Sequence, residues 1–321
     1  MNRRHLLAIM AVTGLLPTIR GKAQVRSAVH GGWSKYPEPV LGGEYGTCFD
    51  VCVRHEPGRY RMWLSWRPRA SIALSESTDG IHWSGPEVVL APDPTAGWED
   101  EVNRPVVVHR SDGYHMWYMG GRGGKGRIGY ARSNDGRSWT RQSSKPVLDA
   151  SLPWEGGSLQ CPHVEWDERN RMWKMWYSGG GSGEPNAIGY ATSQDGLHWE
   201  KYPTNPVLTP DRGTEWEKDR VAAAQVLFLK GWYYAFYIGF RDEPDAQIGL
   251  ARSRDGTTNW VRHPENPIVR PTLGGWDADA CYKPYAVFDG DRWMLWYNGR
   301  RGGLEQIGLV THPDEDFGFP D

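Results

Sequence analysis

A five-bladed β-propeller of four-stranded blades is the fold this sequence predicts, and three observations carry that reading. The first is a recurring phrase. In its fullest copy Met175-Trp176-Tyr177-Ser178-Gly179 and a glycine-rich gap lead to Ile188-Gly189-Tyr190-Ala191, then to Ser193-Gln194-Asp195-Gly196-Leu197-His198-Trp199. Further copies begin at Met116-Trp117-Tyr118, Ala235-Phe236-Tyr237 and Leu295-Trp296-Tyr297, with a worn one at Met62-Trp63-Leu64. The second is the period. Asp-Gly pairs open at 79, 135, 195 and 255, which are 56, 60 and 60 residues apart, and a fixed period of this size marks a repeat architecture. The third is the mismatch between the ends. The last repeat reaches Ile307-Gly308-Leu309-Val310 without its closing Trp and Pro-Val-Leu run, and the missing run stands at the other terminus as Trp33-Ser34-Lys35-Tyr36-Pro37-Glu38-Pro39-Val40-Leu41.

Each unit reads as four strands. An apolar run such as Arg104-Pro105-Val106-Val107-Val108 comes first, then the Met-Trp-Tyr run and the Ile-Gly-Tyr-Ala run. An Asp-Gly turn, the chemistry of tight hairpins, leads to a fourth strand centred on Trp. Four strands per repeat around an axis make a propeller, and an N-terminal strand that completes the last blade would remove an exposed edge. Residues 30–41 are therefore expected to pair near Ile307–Val310.

The remaining features bound the function. One repeat array accounts for nearly all of the 321 residues, so a single domain is expected over 24–321. Forty Gly, 18 Trp and 15 Tyr suit a turn-dense, aromatic-packed β fold. A net charge of −2 offers nothing that would draw nucleic acid or an anionic membrane. Arg3-Arg4, the apolar run Leu6 to Leu16 and Gly21-Lys22-Ala23 read as an export signal over 1–23, twin-arginine-like or secretory, too short to span a membrane. The mature protein is expected in a periplasm or outside the cell, as a monomer. Cys48, Cys52, Cys161 and Cys281 show no zinc spacing, and no metal or cofactor is implied. Cys48 and Cys281 would be neighbours in a closed ring, where buried thiols are expected ahead of a disulfide.

The chemistry should sit at one mouth of the axis. Innermost strands align on Val51, Pro105, Pro162, Ala224 and Pro284. Period-two alternation then sets Asp50, Arg104 and Lys283, with His163, Gln225 and Tyr285, toward the axial cavity, and Val53, Val107, Val164, Val226 and Ala286 away from it. The bland alternative is that these polar groups only satisfy one another in a wet tunnel. Entry loops repeat a Trp-acid signature at Trp98-Glu99, Trp154-Glu155, Trp216-Glu217 and Trp276-Asp277, with Glu44 at the matching place in the first blade. Recurrence favours a structural task for that acid, such as capping loop amides. Glu101, Asp219 and Asp279, three places after the Trp, are less uniform and are candidate catalytic acids. Arg67, Arg122, Arg241, Arg300 and Arg301 follow the aromatic strands; unpaired, they would suit an anionic group on the ligand.

The Ser-x-Asp-Gly-x-x-Trp turns resemble a shortened Asp-box of sialidase-type propellers, a structural device in which Asp accepts turn amides and Trp packs between blades. As a whole the chain resembles the five-bladed glycoside hydrolases of the family 32, 43, 68, 117 and 130 type. In those enzymes a nucleophile or base Asp stands on the first inner strand, and Asp50 in Phe49-Asp50-Val51 matches it. The chain departs from them elsewhere. The family-32 Arg-Asp-Pro motif reads Asn103-Arg104-Pro105 here, and the Glu-Cys-Pro acid motif reads Gln160-Cys161-Pro162-His163. Gln160 cannot protonate a leaving oxygen, and Arg104 beside Asp50 suits a base or nucleophile, so the acid must lie elsewhere. The resemblance implies an exported glycosidase acting on an oligo- or polysaccharide. A non-catalytic carbohydrate-binding propeller, or a lyase or phosphorylase acting on an anionic sugar, are the alternatives.

Overall fold

The computed structural model describes residues 29–181, 183–313 and 316–320; the expected export signal at 1–23 lies outside them. Among the described residues β1 (Ser34–Lys35) comes first, and the other nineteen strands follow blade by blade. The first blade holds β2 (Cys48–Glu56), β3 (Arg59–Trp66), β4 (Ser71–Ser77) and β5 (Glu87–Leu90). The second holds β6 (Glu101–Arg110), β7 (Gly113–Arg122), β8 (Lys125–Ser133) and β9 (Thr140–Arg141). The third holds β10 (Leu159–Asp167), β11 (Met172–Gly179), β12 (Ala187–Ser193) and β13 (Glu200–Lys201). The fourth holds β14 (Arg220–Leu229), β15 (Trp232–Asp242), β16 (Asp245–Ser253) and β17 (Val261–Arg262). The fifth holds β18 (Ala280–Phe288), β19 (Trp293–Arg301) and β20 (Leu304–His312), and β1 is its fourth strand. No described helix is long and apolar enough to cross a membrane.

Closure runs as the repeats dictate. Ser34 pairs with Thr311 and Lys35 with Val310, and Leu41 bridges to Ile307. Lys35 also completes a device that four blades share. Glu99, Glu155, Glu217 and Asp277 are fully buried, and each accepts the hydroxyl of its blade's repeat tyrosine: Tyr118, Tyr177, Tyr237 and Tyr297. A cation from the outermost strand pairs with each acid: Arg141 at 2.5 Å, Lys201 at 2.7 Å, Arg262, and Lys35 at 2.6 Å. Loop amides of Asp93, Ser151, Leu152 and Thr272 donate to three of these carboxylates. The recurring acid is therefore a structural latch across entry loop, second strand and fourth strand. Blade one departs from the expected match: Leu64 replaces the tyrosine, so a buried acid would lack its donor, and Glu44 lies on the surface.

The Asp-Gly turns are likewise structural. Asp79, Asp135, Asp195 and Asp255 each accept the amides two and three residues on. The turn carbonyls of Gly136, Gly196, Gly256 and Gly80 are held by Trp63, Trp117, Trp176 and Trp296 of the preceding blade. Fully buried indoles thus spend their one donor between blades, which satisfies the polar end of a large apolar group. All four cysteines are buried free thiols, with the Cys48 thiol pushed up to about 12 by burial.

Candidate active site

Every inner strand carries a bulge at the same place. Pairing with the second strand slips between Phe49 and Cys52, Asn103 and Val106, Gln160 and His163, Ala222 and Gln225, and Tyr282 and Tyr285. The extra residue is left-handed: Asp50, Arg104, Cys161, Ala223 and Lys283 have φ of 51°, 53°, 49°, 50° and 51°. Three of the five following residues are proline, which has no N–H to contribute to the interrupted ladder. Non-glycine residues in this region are strained and persist where surroundings fix them. Here the preceding blade does so. The Asp50 N–H donates to Asn298 Oδ1 (2.8 Å), Arg104 N–H to Ser65 Oγ (2.7 Å), and Ala223 N–H to Ser178 Oγ (2.8 Å).

This upper tier gathers the charge. Asp50 is buried, its Oδ2 3.0 Å from Arg104 Nε and its Oδ1 accepting from Asn298 Nδ2 at 2.6 Å. Burial alone would lower the Arg104 guanidinium; Asp50, Cys161 and Glu184 more than reverse that and hold it firmly charged. Lys283 is buried in the same tier. Burial pushes the Cys161 thiol up to about 11, which leaves it a poor nucleophile at neutral pH.

Glu184 is an acid that the repeat pattern does not single out. It sits half-buried in the seven-residue connection between β11 and β12. Gln160 Nε2 donates to Gly183 O at 3.0 Å and pins that connection, so the residue in the expected acid position holds the chain that carries Glu184. Burial raises the Glu184 carboxyl above its ordinary value, and the negative charges of Asp50 and Glu243 add to this while Arg104 and Arg300 oppose it. A raised carboxyl and an ion-paired one are the two kinds of group that acid–base catalysis needs. The available signal was length: equivalent connections in blades two, four and five leave only two residues between strands.

The other expected site residues are distributed differently. Asp219 is exposed and paired with Arg220 at 2.8 Å, and Asp279 is exposed and caps the Gly302 amide at 2.7 Å. Glu101 is half-buried and lines a small crevice with Phe49, Arg67 and Asn103, one strand from Asp50. Among the arginines, Arg122 lies 3.6 Å from Asp100, Arg241 pairs with Asp242 and Asp245, and Arg300 donates to Pro244 O at 2.8 Å. Arg300 also stacks over Tyr282, beside Glu184. His163, Gln225 and Tyr285 do face the axis, but one tier lower. There His163 Nε2 meets Val226 O at 2.8 Å, Gln225 bonds both backbone groups of Ala286, and Tyr285 contacts Cys52 at 3.2 Å. That lower ring stitches neighbouring blades together through backbone groups and a thiol, not by its members satisfying one another. Among the described residues no three His, Cys, Asp or Glu side chains converge as a metal site.

No known family profile matches the chain. An uncharacterized protein of Mycobacterium tuberculosis is 33% identical over 163 residues, 47% of this chain and 53% of that protein. The A type blood N-acetyl-alpha-D-galactosamine deacetylase of Flavonifractor plautii is 23% identical over 314 residues, 82% of this chain. The chain spans about half the length of the first relative and 39% of the second. Among solved structures, the protein of an RGII complex superposes with a TM-score of 0.72 at 18% identity, over 88% of this chain and 93% of that one. A thermostable family-43 glycoside hydrolase follows with 0.70 at 20% identity, over 89% and 98%. A structure from the GH130 family of mannoside phosphorylases and glycoside hydrolases gives 0.65 at 16% identity, over 94% and 97%. The fold of this chain is thus the five-bladed propeller that these glycoside hydrolases share.

Proposed function

We propose that the upper mouth of the axis is the active site of a glycoside hydrolase acting on an oligo- or polysaccharide. The observation that carries this is a buried Asp50 held by Arg104 and Asn298, with Glu184 near enough that the Asp50 charge helps to raise its carboxyl. Glu184 protonates the glycosidic oxygen as the bond to the anomeric carbon breaks. Asp50 either attacks that carbon or takes a proton from the water that does, and the leaving alcohol departs neutral. Arg104 and Lys283 then offset negative charge around Asp50 and suit an anionic substituent on the sugar. Export of the mature protein would place the reaction outside the cytoplasm.

The test is a glycan panel read for new reducing ends, with Asp50→Asn measured beside the parent. Loss of about 10²–10⁴-fold in turnover per folded molecule is expected. A variant that melts early yet keeps its specific activity would make Asp50 a scaffold residue that only neutralises Arg104. The match to the Flavonifractor plautii deacetylase supplies a second reading, removal of an N-acetyl group from a sugar. Acetate release without new reducing ends would favour it. Retention of glycans without turnover of any kind would favour a binding propeller.

A further inference from the structure

The axis opens into a chamber at the mouth opposite Asp50. Its volume is about 670 Å³, within the roughly 300–1,000 Å³ range of small-ligand clefts. Its floor includes His163, Gln225 and Tyr285 of the stitching ring, and no residue of the left-handed tier above lines it. Below the floor the next axis-facing position of the five inner strands reads Arg54, Val108, Glu165, Leu227 and Val287. Three are aliphatic, and the two charged ones come from blades one and three, which are not neighbours. At the rim the same alignment gives a ring system in every blade: His55, His109, Trp166, Phe228 and Phe288. Phe228 packs on Tyr233 at 4.8 Å between ring centres and still leaves 59% of its surface exposed.

Arg54 is what makes the chamber more than a wet tunnel end. It forms no ion pair among the described residues, and its buried Nε has no acceptor. The acid of the same tier, Glu165, lies instead 3.6 Å from His163. Arg110, also in the wall, is spread 3.6 Å over the Trp166 ring and only 3.9 Å from Asp112. A guanidinium that lines a chamber and has no ion-pair partner among the described residues suits an oxyanion, which its planar fork can bind. The rim rings each pack on a ring of their own second strand. The side that Phe228 leaves exposed offers a flat apolar surface to a sugar ring's C–H face, while Glu165 can accept from a hydroxyl group.

We infer that this lower chamber is a second binding site, distinct from the proposed catalytic mouth, for a monosaccharide-sized sugar acid whose carboxylate pairs with Arg54. Calorimetry of the whole protein with glucuronate, galacturonate and glucose tests it. Both uronates are expected to bind and glucose to bind at least tenfold more weakly. Arg54→Gln should reduce uronate binding at least tenfold with an unchanged melting temperature, Arg54→Lys should recover part of it, and Asp50→Asn should leave it intact. Should Arg54→Gln fold poorly, a crystal of the parent grown with glucuronate decides by showing density beneath the His163–Gln225–Tyr285 ring or none. Equal binding of glucose, loss of binding in Asp50→Asn alone, or no binding at all would overturn the inference. Each of these readouts is independent of whether the upper mouth hydrolyses glycans.

Discussion

Replacing Lys35 by Met isolates the energetics of ring closure. Lys35 Nζ donates to Asp277 Oδ2 at 2.6 Å, to Arg270 O at 2.8 Å and to Thr272 Oγ1 at 3.0 Å, and the Asp277 carboxylate is wholly buried. Burial would raise the Asp277 carboxyl, but the Lys35 charge with the bonds from Lys35, Tyr297 and Cys281 keeps it below its ordinary value. Without the lysine, only Tyr297 (2.9 Å), Cys281 (3.3 Å) and the Thr272 amide (3.1 Å) face that charge. Removing one partner of a buried pair costs about 3–5 kcal/mol. At about 2 °C per kcal/mol for a domain of this size, melting should fall by roughly 6–10 °C. Differential scanning calorimetry on Lys35→Met and on Lys201→Met reads the comparison directly, since Lys201 holds the same latch in the third blade, inside the continuous chain. Equal losses mean that the two-residue strand β1 contributes mainly through its latch. If Lys35→Met melts within about 2 °C of the parent while Lys201→Met falls as stated, the closure latch carries no weight and the reasoning fails.

The proposed acid gives a pH signature. Glu184 is raised above 4.5, so it stays protonated into a higher range than a free glutamate, and kcat/KM should fall on an alkaline limb as it ionises. Glu184→Gln should remove that limb along with most turnover; an unchanged pH profile would exclude Glu184 as the acid. The Asp-Gly turns give the opposite dependence on stability. Turn amides hold Asp135 near about 2, and Asp79, Asp195 and Asp255 are also lowered from 3.8. Their contribution is present above the unfolded value and lost as pH falls through the folded ones. Melting temperatures from pH 5 to 2 should therefore decline less steeply in Asp135→Asn than in the parent, and parallel curves would show that the turn carboxylate is energetically silent.

The blade count, the ring closure and the latch acids were legible because each is periodic. A residue repeated at about 60-residue spacing announces a shared structural task, and the acids that meet Tyr118, Tyr177, Tyr237 and Tyr297 perform it in four of the five blades. Alternation also placed Asp50 and Arg104 at the axis. It did not separate them from His163 and Gln225, because a bulge between the two tiers is a departure from period two. Glu184 was hidden for the converse reason. It is unique to one blade, in a glycine-rich connection without periodicity, and its carboxyl is set by what folds around it. Arg54 was hidden too, since only the closed ring shows that no acid among the described residues pairs with it.

Closure by an N-terminal strand also fixes the order of assembly. Trp33 to Leu41 are made before the inner strands of all five blades, yet their partner strand Leu304–His312 is made after those strands, about 260 residues later. Through that interval Trp33 and Leu41, both buried at the end, lack their partners on the last strand, His312 and Ile307. Four blades can form from neighbouring sequence as each emerges, but the ring can be sealed only by a contact of the longest range the chain offers, and such contacts are slow to form. The molecule is thus a nearly finished annulus, open at one seam, until Leu304–His312 has been made.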